Sequence, residues 1–140
     1  MTKAAQPGTP FRFQLDLRSG VPVYRQIMDQ VLAGIASGRL ASGDQLPTVR
    51  QLAVDLSINP NTVIRAYREL EIRGFLDTHQ GSGTFVGTQR VEPDGEERQR
   101  KLDGIVGDLV ARAGGEGFTA QQVLDRLKEL LAEQKTARRN

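Results

Sequence analysis

Residues 46–86 read LPTVRQLAVDLSINPNTVIRAYRELEIRGFLDTHQGSGTFV, in the order helix, tight turn, helix, hairpin. Thr48 and Gln51 have the spacing of a capping box. There the hydroxyl accepts from the amide three residues on, and the glutamine side chain reaches back. Leu52, Ala53 and Leu56 supply one apolar face behind that start. Ser57-Ile58 turns the chain, and Asn59-Pro60 opens a second helix with a capping side chain followed by a residue that has no amide to satisfy. Val63, Ala66, Tyr67 and Leu70 repeat at helical spacing. Gly74 ends the run, because glycine takes the left-handed stop at no steric cost. From Thr78 to Val86, Gly81-Ser82-Gly83 is a turn signal between two short strands. Two short helices across a tight turn make a helix-turn-helix, and the hairpin makes it a winged one.

Burying residues 63, 66, 67 and 70 turns Asn61, Thr62, Arg65 and Arg68 to the other side, where such side chains suit phosphates and base edges. These residues and their spacing resemble the DNA-binding domain of GntR-type bacterial transcription regulators. The likeness is carried by Pro22-Val23-Tyr24, Gln26-Ile27, Gly38, Leu40, Gly43, Leu46-Pro47, Arg50, Leu52-Ala53, Asn61-Thr62-Val63, Ala66-Tyr67, Leu70, Gly74 and Gly81-Ser82-Gly83-Thr84-Phe85-Val86. Together they span about half of the chain, at many fixed offsets.

The resemblance implies DNA contact from Arg50 and from the wing turn, with His79, Gln80, Gly81, Ser82 and Gly83 at its tip, while position on the second helix makes Asn59, Asn61, Thr62, Arg65 and Arg68 candidates for the same. Each also has a plainer reading. Arg50 could pair with Asp55, Asn59 could only cap its helix, and Arg68 could pair with Glu71. The wing glycines could serve only the turn. Arg65 could reach a guanine edge bidentately or hold a phosphate. Some members of the family carry an arginine where this chain has Ile64, and some carry one at Pro60, which has no donor. Base preference is therefore expected to differ from theirs.

Outside this stretch, residues 1–10 are small and proline-rich and read as a disordered tail. Phe11, Phe13, Leu15 and Leu17 alternate with polar residues, as in a short strand or extended segment, and Ser19-Gly20 turns it. Pro22 opens a first helix whose Tyr24, Ile27, Met28, Val31, Leu32 and Ile35 are core-facing, ending near Ser37-Gly38. Residues 40–46 read as a loop with about three residues of strand.

Beyond the wing, residues 89–100 are polar, a linker or the frayed start of a helix. Leu102, Ile105, Val106, Leu109, Val110 and Ala113 then give an amphipathic helix, broken at Gly114-Gly115 and Gly117. Thr119 with Gln122 is a second capping box, with Phe118 and Val123 spaced as a hydrophobic staple. Val123, Leu124, Leu127, Leu130 and Leu131 line the last helix, and residues 135–140 read as a solvated basic tail. Gly104 and Gly107 lie near the first stripe and cost helix propensity. Two helices with stripes this wide predict self-association, most commonly two-fold. Large effector-binding or aminotransferase-like modules follow the DNA-binding domain in other branches of the family. About 50 residues is too short for those, and this tail resembles the two-helix dimerisation tail of the YtrA-type branch.

The expected fold is thus mainly α with a small β-hairpin wing: residues 1–10 a tail, 11–89 a winged helix-turn-helix domain with its family-like core at 21–89, and 90–140 a linker and helical dimerisation region. The expected partners are double-stranded operator DNA and a second copy of the chain, with the effector unknown.

Bulk composition narrows the function classes. The chain has 140 residues, no cysteine and one histidine. Disulfide and thiol chemistry are excluded, and His79 alone cannot build a multi-histidine metal site within one chain. No apolar run approaches the length of a membrane span, and MTKAAQPGTP lacks the apolar middle of a signal peptide, so a cytoplasmic location is expected. Residues 1–90 hold ten Lys/Arg against seven Asp/Glu, a difference of +3, and residues 91–140 hold nine against ten, a difference of −1. Placed arginines rather than net charge point to nucleic acid. Gly81-Ser82-Gly83 lacks the following Lys-Ser/Thr of a phosphate loop. The carboxylates Asp94, Glu96, Glu97, Asp103 and Asp108 lie on solvated helix faces without a cleft. No cofactor and no enzymatic activity are expected. The competing reading is a winged-helix module that binds protein rather than DNA.

Overall fold

The structure is a computed structural model and describes residues 11–88 and 95–139, with side chains as far as residue 134. Two compact units divide these residues, one built from 11–88 and the other containing α4 and most of α5. The expected tail at 1–10 and the polar stretch 89–94 lie outside the described residues.

The first unit runs α1 (Val23–Ser37), β1 (Gln45–Leu46), α2 (Val49–Leu56), α3 (Pro60–Ile72), β2 (Leu76–His79) and β3 (Gly83–Val86). Local chemistry sets most of these limits. Thr48 Oγ1 accepts from the Gln51 amide at 3.0 Å, so half of the capping box forms. The other half does not, because Gln51 Nε2 donates instead to Asp55 Oδ1 at 2.7 Å, one turn on. Asn59 Oδ1 accepts from the Asn61 amide at 2.8 Å, with Pro60 as the first helical residue.

Three helices close with a left-handed residue and its paired back-bonds. For α3 these are Phe75 N–H to the Leu70 carbonyl and Gly74 N–H to that of Glu71, both 2.9 Å, around Gly74 at φ 85°. For α2 the left-handed position falls on Ser57, at φ 57°, the one non-glycine with positive φ among the described residues. It sits in the tight turn of the helix-turn-helix and is less costly for serine than for a β-branched residue.

Ile27, Val31, Val63 and Ala66 are fully buried, and Leu70 joins them, so α1 and α3 share one core with Leu40, Leu46, Leu52, Leu76 and Val86 around it. The wing is larger than a hairpin. β1 pairs antiparallel with β3, Gln45 opposite Phe85 and Leu46 opposite Thr84, giving a three-stranded sheet in the order β1-β3-β2. β2 begins at Leu76, before the expected Thr78, because Leu76 opposite Val86 already faces the core.

Residues 11–15 form no strand. Phe11 and Phe13 pack against the core edge-on to one another, with ring centroids 5.0 Å apart, while Leu17 is 79% exposed. The apolar alternation thus fails at its last member, since the chain turns at Asp16, whose carbonyl and carboxylate receive Ser19 and Arg18 amides. Two α1 glutamines hold this segment by its backbone. Gln26 Oε1 accepts from the Asp16 amide and Gln26 Nε2 donates to the Asp16 carbonyl, at 2.8 and 2.9 Å. One turn on, Gln30 does the same for Gln14. A side-chain amide presents the donor and acceptor of a peptide unit, so it pairs an extended segment without a neighbouring strand.

The second unit contains α4 (Gly95–Gly115) and α5 (Ala120–Arg139). α4 carries Glu96 and Glu97 in its first turn and Arg112 in its last, matching the helix dipole. It stops in the same left-handed motif, at Gly117 with φ 89° and Phe118 N–H on the Ala113 carbonyl. The second capping box forms in full: Gln122 N–H donates to Thr119 Oγ1 at 3.1 Å and Thr119 N–H to Gln122 Oε1 at 2.8 Å. The backbone stays helical to Arg139, where the sequence suggested a tail from 135.

Among the described residues α4 and α5 do not pack against one another. Leu102, Ile105, Val106, Leu109 and Val110 are exposed, as are Leu124, Leu127, Leu130 and Leu131, and Val123 is half-buried. No described helix is long and apolar enough to cross a membrane.

Candidate nucleic-acid interface

The packing of α3 decides which of its side chains are available. Val63, Ala66, Tyr67 and Leu70 are buried, so the helix has one face in the core. Asn61, Ile64, Arg65 and Arg68 are exposed on the remainder, and Thr62 is half-buried. The buried face is fixed in roll by a hydrogen bond as well as by packing. The Tyr67 hydroxyl donates to the Pro47 carbonyl at 2.8 Å, tying α3 to the chain just ahead of α2. Burial pushes the Tyr67 hydroxyl pKa well above its ordinary value, since a phenolate has no compensating charge there.

Arg50 is the second residue of α2 and is exposed. Its plainer reading, pairing with Asp55, does not hold, because Asp55 receives Gln51 and no ion pair joins it to Arg50. Arg68 likewise forms no ion pair with Glu71. Among the described residues, then, Arg50, Arg65 and Arg68 have no carboxylate partner, while Arg25, Lys101 and Arg126 do. Unneutralised guanidiniums on an outward face are what a polyanion meets first. Arg65 has a neighbour the sequence did not suggest. Its guanidinium carbon lies 3.7 Å from the centroid of the Tyr24 ring, on α1.

Asn59 is committed to its cap, which leaves its Nδ2 free to donate outward. At the wing tip His79, Gln80, Gly81 and Ser82 are exposed and Gly83 is half-buried. Gly81 and Gly83 both have positive φ, at 85° and 125°, so the turn alone requires them. A Cβ on Gly83 would also lie 2.8 Å from Gln45 Nε2. That same Nε2 donates to the Ser82 carbonyl at 3.1 Å, so β1 braces the wing tip. His79 stacks edge-on against Phe85, centroids 5.3 Å apart. No cluster of three potential metal ligands occurs among the described residues.

Three features escaped sequence reading: the Arg65–Tyr24 stack, the Gln45 brace and the Gln26 clamp. Only Gln26 left a trace, as a polar residue set into an otherwise apolar helix face.

A winged helix-turn-helix with a polar, unpaired recognition-helix face defines a DNA-binding transcriptional regulator. The family model for bacterial regulatory proteins of the gntR family matches residues 23–86. The HTH-type transcriptional repressor YtrA of Bacillus subtilis (strain 168) is 33% identical over 127 residues, 91% of this chain and 98% of that one. Among solved structures, YtrA from Sulfolobus acidocaldarius, a GntR-family transcription factor, is 34% identical. It aligns with a TM-score of 0.53, over 71% of this chain and 97% of that one. A transcriptional regulator from Oenococcus oeni, 29% identical, aligns with a TM-score of 0.52 over 84% and 97%. The chain belongs to the gntR family of bacterial regulatory proteins, in its YtrA-type branch.

Proposed function

We propose that the chain is a homodimeric transcriptional repressor that binds an inverted-repeat operator and acts in the cytoplasm. In this reading residues 11–89 are the DNA-binding domain and 90–140 a linker and dimerisation region. Arg50, Asn59, Asn61, Thr62, Arg65 and Arg68 meet DNA, together with the wing residues 79–83. The observation that carries it is the exposed face of α3 and the start of α2, whose three arginines have no carboxylate partner among the described residues. Repression is supported by the name of the Bacillus subtilis relative, which matches this chain over almost its full length.

The dimer is supported by α4 and α5. Their apolar stripes are exposed and do not cover one another. Water contact with that much aliphatic surface is unfavourable, and a second copy supplies the same stripes in two-fold register. Two recognition helices related by a two-fold axis call for half-sites about 10 base pairs apart, or a small multiple.

Selection of bound fragments from the host genome, followed by footprinting and light scattering on the complex, tests this. A protected inverted repeat with two chains bound is expected. A single asymmetric half-site bound by one chain would overturn the dimeric reading. Failure to select any duplex would favour the protein-binding module instead.

A further inference from the structure

We infer that Tyr24 is a positioning residue for DNA binding. Its ring fixes the Arg65 guanidinium so that Arg65 grips the sugar-phosphate backbone rather than a base edge. The inference rests on the reading of α3 as the DNA-facing helix.

At 3.7 Å from the ring centroid, the guanidinium is in face contact with Tyr24. A second cation over a ring among the described residues, Arg39 near Phe11, stands at 5.8 Å, close to the limit at which such attraction matters. The two partners differ in freedom. Tyr24 is half-buried and packed against the core, so its ring is held by α1. Arg65 is exposed, and a long exposed arginine otherwise samples many rotamers. Stacking removes that freedom before any ligand arrives.

Stacking also leaves the binding capacity intact. A contact this short is made through the π face of the guanidinium, while its five N–H donors lie in the plane. Among the described residues no carboxylate pairs with Arg65 and no hydrogen bond uses its donors. An oriented fork of free donors matches the oxygens of a phosphate.

Direction separates phosphate from base. A guanine edge requires the guanidinium to extend from the helix into the groove, coplanar with the base. The stack instead draws it back onto α1, an element outside the helix-turn-helix pair. Base reading is then left to Asn61 and Thr62, exposed and half-buried at the start of the same helix.

The test uses the full-length protein and an operator duplex obtained by binding-site selection, with Arg65→Ala, Tyr24→Leu, Tyr24→Phe and the Tyr24→Leu/Arg65→Ala double variant. Arg65→Ala and Tyr24→Leu should each weaken binding about 3- to 10-fold. Arg65→Ala should reduce the salt slope by about one and leave the selected sequence unchanged. The double variant should bind no worse than the weaker single one, and Tyr24→Phe, which keeps the ring, should bind like the parent.

Additive losses, or a Tyr24→Leu variant that binds normally while Arg65→Ala does not, overturn the positioning role. Equal losses for Tyr24→Phe and Tyr24→Leu would make the hydroxyl a direct contact and overturn it as well. An altered base preference in Arg65→Ala would make Arg65 a base reader, contrary to the inference. Arg65→Ala binding like the parent removes Arg65 from the interface and the inference with it. A parent protein that selects no duplex overturns the DNA reading itself.

A readout that needs no variant at position 24 is the Arg65 Nε–H resonance. Ring current from Tyr24 should displace it in the free protein and in the operator complex. A return to an unshifted position on binding DNA overturns the inference.

Discussion

The Tyr67 hydroxyl donates to the Pro47 carbonyl across 2.8 Å, so the middle of the recognition helix is bonded to the residue just before the cap of α2. The bond makes the roll of α3 a property of the whole motif. Tyr67→Phe should cost about 1 kcal/mol, the typical net worth of one such bond. Urea unfolding checks this, and operator binding measured alongside should weaken, since the outward face is no longer held in one orientation.

Tyr67 also gives stability a pH dependence with a definite sign. Burial raises its folded pKa above the ordinary value near 10. Its contribution is fully present below that value and is lost as pH rises above it, because the unfolded chain gives up the proton first. Unfolding free energy should fall above about pH 10, by up to about 1.4 kcal/mol per pH unit. The Tyr67→Phe protein should lack that increment, which a comparison of unfolding curves at pH 8 and pH 11 would show.

Two glycines should answer very differently to alanine. A Cβ on Gly87 would lie 2.6 Å from the Gly74 carbonyl oxygen and 3.3 Å from the Phe75 carbonyl, all rigid backbone at the end of α3. Gly87 N–H also donates to the Phe75 carbonyl at 2.8 Å, so the two strands of chain cannot separate freely. Gly87→Ala should destabilise by about 1–3 kcal/mol or more. Gly81 has φ 85° but open space around it, so Gly81→Ala should cost only about 1–2 kcal/mol from backbone strain. Thermal unfolding of both variants tests the order.

Arg50 stands at the start of α2 with no ion-pair or hydrogen-bond partner for its side chain among the described residues. Arg50→Ala should leave the circular dichroism spectrum and melting temperature unchanged. If Arg50 holds a phosphate, the variant weakens all duplexes about equally and lowers the salt slope by about one. Ile64→Arg, in contrast, restores a donor fork that some relatives carry at this place, and should add preference for a guanine in each half-site, by about 1–3 kcal/mol. A binding-site selection on both variants distinguishes these outcomes.

The proposed dimer should break at the middle of the two stripes. Leu109 is 42% exposed on α4 and Leu127 46% exposed on α5. Leu109→Glu and Leu127→Glu place charge where a second copy would exclude water. Each should yield monomers at micromolar concentration while the first unit keeps its melting transition. Sedimentation that finds the same mass for parent and variants would remove these helices from the interface.

The sequence by itself determined the elements whose causes act within a few residues. The caps at Thr48 and Asn59, the left-handed stops at Gly74 and Gly117, and the apolar spacing of α3 each involve neighbours within about one turn, so the chain carries them locally. The outward set of Asn61, Thr62, Arg65 and Arg68 followed from that spacing alone, with Thr62 half-buried in the structure. Tertiary structure decided what depends on residues far apart in the chain. β1 has two residues, too few for any periodicity, and exists because β3 pairs with it. The Gln45 brace on Ser82 spans 37 positions. Gln51 turned from its cap to Asp55, whose carboxylate one turn on takes the Nε2 donor in a charge-assisted bond, whereas the cap would use only the amide oxygen. Whether Arg65 extends into a groove or lies on Tyr24 is a matter of how α1 packs against α3. Local spacing can set which way a side chain leaves its helix, but only the packed neighbour can set where it comes to rest.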